Sequence, residues 1–202
     1  MENINGTAAV HAEAAAPGGR KRKAAGQEKK GLGIREILLT GILLAAGAVL
    51  KFFVGSVVNF GMKPNFIIAM YCLVILLVRP KFAEAAVIGL LAGAICQFFP
   101  GQPYINFVSE LTGALAMCLL IRIPLNTGKI PAKTLLCTFF STMASGFTFT
   151  GVMYLVYYAG AGITPTPLAI FLAIILGTAF INSVIVQLLY LPLRLVLKKP
   201  RE

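Results

Sequence analysis

The residues of this chain that could do chemistry are few, and most of them sit in or beside two short polar stretches. The first is Phe60-Gly61-Met62-Lys63-Pro64-Asn65, and the second is Phe99-Pro100-Gly101-Gln102-Pro103-Tyr104-Ile105-Asn106. Proline and glycine are what a chain needs to turn, but a turn has no need of a lysine, two asparagines and a glutamine. Gln97 lies just before the second stretch and Glu110 just after it. Lys63 and Glu110 could hold the two charged ends of a zwitterion, with Asn65, Gln97, Gln102 and Asn106 as hydrogen-bonding groups. Tyr104 and Tyr154, with Phe60, Phe98, Phe99 and Phe107, could wall an apolar or aromatic part of the same solute. The plainer alternative is that the asparagines cap helices, the aromatic rings form an interfacial belt and Lys63 snorkels.

Other chemistries lack material. The sequence has no Asp, and its single histidine, His11, lies near the start. Cys72, Cys96, Cys118 and Cys137 fall inside apolar segments with no C-x-x-C spacing, so they read as small core side chains. Neither a metal site nor a catalytic triad is expected. No P-loop or paired-glycine nucleotide motif is present, so no cofactor is expected and any ATPase must be another chain.

The elements that must position these residues are membrane helices. Hydrophobic residues make up 58% of the 202 and charged residues 12%, with a mean hydropathy of +0.85. Soluble domains carry roughly 25% charged residues. At about 20 residues per crossing there is room for roughly six helices and no catalytic domain besides. The apolar runs place them at 37–53, 64–78, 82–99, 105–121, 132–158 and 167–193. The first carries Gly41, Ala45 and Ala48 on one strip, and the third carries Ala85, Gly89, Ala92, Gly93 and Ala94. Small residues at such spacing let helices approach closely.

Charge sets the orientation. Sixteen of the 18 Lys and Arg residues precede the first helix, follow the sixth, or join the second to the third and the fourth to the fifth. Only Lys51 and Lys63 fall on the other side, so both termini are expected to be cytoplasmic. The net charge of +11 thus reports topology and not nucleic-acid binding. The expected organisation is a disordered basic tail over 1–33, a six-helix transmembrane domain over 34–198 and a short cytoplasmic tail over 199–202. Three helix N-termini, each with unpaired N–H groups, then point outward beside Lys63, which suits an anionic group such as a carboxylate.

Gly61-Met62-Lys63-Pro64-Asn65, the apolar helix after it, Arg79-Pro80 and Phe99-Pro100-Gly101-Gln102 together resemble the tryptophan transporter TrpP family, over about residues 34–198. In that pattern an acidic residue often follows the Lys-Pro pair, where this chain has Asn65. The family is similar to the substrate-binding S components of energy-coupling factor transporters. The resemblance implies an S-component-like bundle in a bacterial plasma membrane that captures a tryptophan-like solute under its outer loops. It also implies partners: a transmembrane coupling subunit, met through a small-residue strip that Gly41, Ala45 and Ala48 match, and two ATPase subunits. A vitamin or vitamin precursor as solute, and a self-sufficient transporter with Glu110 as proton carrier, are the readings that compete with it.

Overall fold

The computed structural model describes residues 31–57, 65–100, 102–124, 130–162 and 165–198. Each apolar run becomes a helix, in the order α1 (Ile34–Val57), α2 (Ile67–Val78), α3 (Phe82–Cys96), α4 (Pro103–Leu120), α5 (Ile130–Tyr158) and α6 (Leu168–Lys198). The expected all-α membrane architecture of six helices is what forms, and the described residues include no strand. Residues 1–30 and 199–202, expected to be tails, and 58–64, with Lys63, lie outside the described residues.

Helix ends depart from the apolar runs where a polar side chain intervenes. α1 begins early because the Glu36 carboxylate accepts the Gly33 N–H at 2.8 Å, satisfying one of the donors left open at a helix start. α2 begins at Ile67 and not Pro64, and Asn65 Oδ1 accepts the Ile67 N–H at 3.3 Å. It stops at Arg79, whose left-handed backbone (φ 52°) returns its N–H to Ile75 O at 3.0 Å, ahead of Pro80.

Three helices, α1, α5 and α6, are long and apolar enough to cross a membrane, and the other three are shorter. The 12 residues of α2 cover only about 18 Å of a hydrocarbon core roughly 30 Å thick. That shortfall is tolerated because α2 is the axis of the bundle. Every residue from Ile67 to Leu76 is buried, and α2 packs against all five other helices. The lipid-facing apolar surface lies elsewhere, with Leu38, Ile42, Phe52 and Phe53 of α1 and Phe180, Leu188 and Leu195 of α6 all exposed.

Several basic residues meet at one end of the bundle. Arg35, at the start of α1, donates to Leu197 O near the end of α6 at 3.4 Å. Arg122, after α4, donates to Pro80 O between α2 and α3 at 3.1 Å, and Lys133, early in α5, donates to Ile123 O at 2.8 Å. The polar stretches of interest are at the opposite ends of the same helices.

The small residues of α3 act as expected. A Cβ on Gly89 would stand 2.9 Å from Glu110 O, Leu111 Cα and Ala114 Cβ, and one on Gly93 would stand 2.9 Å from Phe107 Cα. α4 therefore lies backbone to backbone on α3, and this contact fixes where Glu110 sits. On α1 the close approach to α2 runs through Gly47, whose Cβ would be 2.8 Å from Met70 Cγ. Gly41 meets open space, Ala45 is exposed and Ala48 is half-buried, so that strip lies outside the packed interior.

Candidate functional site

Thr40, Leu44, Gly47 and Lys51 recur at intervals of three and four residues, which places them on one face of α1, and all four are buried. That face turns toward α2, so Lys51 points into the bundle instead of snorkelling outward. Its Nζ donates to Cys96 Sγ of α3 at 3.2 Å and lies 5.1 Å from the centre of the Phe99 ring. Even lenient scales put an intramembrane lysine at a cost of about 3 kcal/mol. A thiol and an aromatic face offset only part of this, because an ammonium group has three donors to satisfy.

Glu110 lies about two turns into α4 and is 1% exposed. Its Oε1 accepts a hydrogen bond from Asn65 Nδ2 and is 4.0 Å from Cys96 Sγ, which itself is 3.7 Å from Asn65 Nδ2. Oε2 has no hydrogen-bond partner among the described residues. Lys51 and Glu110 are close enough for their charges to act on each other, with the Cys96 sulfur between them. An amide at position 65 suits this place, since a carboxylate there would repel Glu110.

The cluster extends inward and sideways. The Tyr71 hydroxyl of α2, fully buried and without a well-formed hydrogen bond, faces Glu110, Ser141 and Ser145. Ser141 donates to Gly113 O at 2.9 Å and lies 3.3 Å from Cys72 Sγ. On α6, Asn182 Nδ2 donates to Asn65 O at 3.2 Å, leaving its Oδ1 unpartnered. Every helix thus contributes at least one buried polar group to the cluster, among them Lys51, Tyr71, Cys96, Glu110, Ser145 and Asn182.

The residues expected from the polar stretches divide. Asn65 and Glu110 meet. Gln97 instead donates to Gly93 O of its own helix at 2.7 Å. Gln102 is half-buried before α4 and forms no side-chain cap, and Asn106 is half-buried with its carbonyl accepting from Ser109 at 3.3 Å. Tyr104 is 82% exposed. Tyr154 donates to Thr166 O at 3.0 Å and packs edge-on to Phe171 in a second apolar cluster with Ile105 and Met153. Lys51, Cys96, Tyr71, Ser145 and Asn182 were not expected in the site. The stripe that ends at Lys51 was the one available signal for it.

Gly113 makes this arrangement possible. A Cβ there would overlap the Tyr71 hydroxyl and stand 2.9 Å from Ser145 Cβ. Gly113→Ala is expected to destabilise the protein by about 1–3 kcal/mol, and Tyr71→Phe in the same chain to recover most of the loss. Thermal unfolding of the two single variants and the double variant checks this. Equal losses with and without the Tyr71 hydroxyl would show that the contact is not what excludes a side chain at 113.

Helices long and apolar enough to cross a membrane, with a lysine and a glutamate buried between them, are the build of a multi-pass membrane protein. The description "Tryptophan transporter TrpP" matches residues 33–198. The chain belongs to that family. It is also 24% identical over 166 residues to a protein of Clostridium acetobutylicum described as a probable tryptophan transport protein, covering 81% of this chain and 94% of that one. No solved structure matches it significantly.

Proposed function

We propose that this protein is the membrane-embedded capture subunit of a bacterial uptake system for tryptophan or a closely related aromatic solute, working with a separate coupling subunit and two ATPase subunits. The observation that carries the capture reading is the pair Lys51 and Glu110. Both are buried, they are opposite in charge, and both keep unused hydrogen-bonding capacity on either side of Cys96. A zwitterionic amino acid supplies what each lacks, its carboxylate for the ammonium of Lys51 and its ammonium for Glu110. The family supports tryptophan as the solute.

The basic end of the bundle is read as cytoplasmic, in a plasma membrane, which turns the Lys51–Glu110 end outward. In the strip of Gly41, Ala45 and Ala48 the first two are left uncovered by the bundle and the third is half-buried, and its side chains are small enough for another helix to lie against. It is the proposed docking face for the coupling subunit. In this reading the ATPase subunits, and not this chain, power uptake.

Two measurements test this. In a thermal-shift screen over amino acids and vitamins, tryptophan should stabilise the purified protein, by about 2.7 kcal/mol at a hundredfold excess over Kd. In vesicles, uptake should need added coupling and ATPase subunits. The unpartnered Glu110 Oε2 favours one other reading, proton-driven transport by this chain alone. Uptake by the protein reconstituted by itself, collapsed by a protonophore, would establish that reading in place of the ATPase-coupled one.

A further inference from the structure

Asn182 is fully buried in α6, between the apolar Phe171, Ile175 and Ala179 on one side and Val186 on the other. Ser183 beside it is already satisfied, donating to Ala179 O of its own helix at 2.7 Å. Asn182 is only half satisfied. Its Nδ2 donates to Asn65 O at 3.2 Å, and because a carbonyl only accepts, this bond fixes which end of the amide is which. The other end, Oδ1, is a buried acceptor with no partner among the described residues. The bond to Asn65 O uses only the donor end of the amide, so the buried acceptor at its other end needs an explanation.

Its place supplies one. Asn65 connects the two residues, since its side-chain amide reaches the Glu110 carboxylate while its backbone carbonyl holds Asn182. Asn182 therefore stands a single residue away from the charged pair, a separation on the scale of one amino acid. The indole ring of tryptophan carries one polar group, an N–H donor with no acceptor beside it, and that is the complement of an unpaired oxygen. The other unpartnered buried oxygens fit less well. Glu110 Oε2 is assigned to the solute ammonium, the Tyr71 and Thr142 hydroxyls can donate as well as accept, and Gln187 lies about 7.5 Å farther along α6.

We propose that Asn182 Oδ1 accepts the indole N–H of the captured solute and selects tryptophan over aromatic amino acids of the same shape that lack this donor. The inference rests on the capture reading above and adds to it a residue that sets specificity. A site built around a buried acceptor penalises a ligand that leaves the acceptor unpaired far more than a purely apolar pocket can.

The test compares tryptophan with 3-benzothienylalanine, in which sulfur replaces the ring N–H at nearly unchanged ring size. Wild-type protein should bind tryptophan at least about tenfold more tightly, equivalent to about 1.4 kcal/mol. In Asn182→Leu the two affinities should come within about twofold of each other, through a loss for tryptophan. Equal binding of the two compounds by wild type overturns the proposal, even if the leucine variant fails to fold. So does a leucine variant that keeps the full preference. Folded wild-type protein that binds neither compound removes the capture reading itself, an outcome distinct from equal binding of both.

Discussion

Methionine in place of Lys51 is expected to weaken tryptophan binding by about a hundredfold or more, roughly 2.7 kcal/mol. Methionine keeps the length and the apolar stem of the side chain, so the change removes charge more than volume. What is lost is the buried ammonium that the described residues offer a solute carboxylate, in surroundings where such bonds are stronger than in water. Arginine should not restore binding, because its planar fork cannot occupy the space of an ammonium wedged against a thiol. Since the chain contains no Trp, indole emission in a titration belongs to the solute, and bound tryptophan can be followed by its own fluorescence. Affinity in Lys51→Met within about twofold of wild type would remove Lys51 from the site.

The second large effect is expected at the seam between α3 and α4. Gly89→Ala should lower stability by about 1–3 kcal/mol and Gly89→Leu should abolish folded protein, because two of the atoms that a Cβ would meet at 2.9 Å belong to the α4 backbone. A flexible side chain could swing away, but a helix backbone held on its other sides cannot. One of those atoms is the carbonyl oxygen of Glu110, so the alanine variant should also lose affinity for tryptophan as the carboxylate is displaced. Gly41→Ala is the control, since its Cβ would enter open space, and it should stay within about 0.5 kcal/mol of wild type. Thermal unfolding followed by circular dichroism in detergent makes the comparison. If Gly89→Ala and Gly41→Ala melt together, the seam is more yielding than its geometry says.

The sequence made the helices legible because a membrane helix is announced by composition alone, and all six apolar runs became helices. Glu110 and Asn65 were legible for a similar reason, since polar groups in so apolar a chain stand out. Lys51 was harder. Near the end of a helix it looked like one of two cations left on the outer side, and which way it points depends on the rotation of α1 about its axis. The stripe of Thr40, Leu44, Gly47 and Lys51 contains that rotation, but Gly41, Ala45 and Ala48 offer a competing face about a quarter turn away. Choosing between them takes the Gly47–Met70 contact, which is a tertiary fact. Cys96 was rightly expected to be buried, yet burial alone does not say that its sulfur stands between two charges. The same limit applies to Gln97, whose amide looked available until its own helix claimed it.

The enclosure of α2 has a consequence for how the protein is made. A segment of 12 residues is too short to be held stably across a bilayer as an independent helix, yet it emerges from the ribosome second. Its surroundings include α6, which is synthesised after the other five. Until α6 arrives, α2 and the Asn65 turn at its head cannot reach their final neighbours, so the central packing, and the proposed site with it, can close only once α6 has been made. Chains truncated before α6 should therefore insert yet remain unfinished at their centre, open to degradation by the quality-control proteases of the membrane.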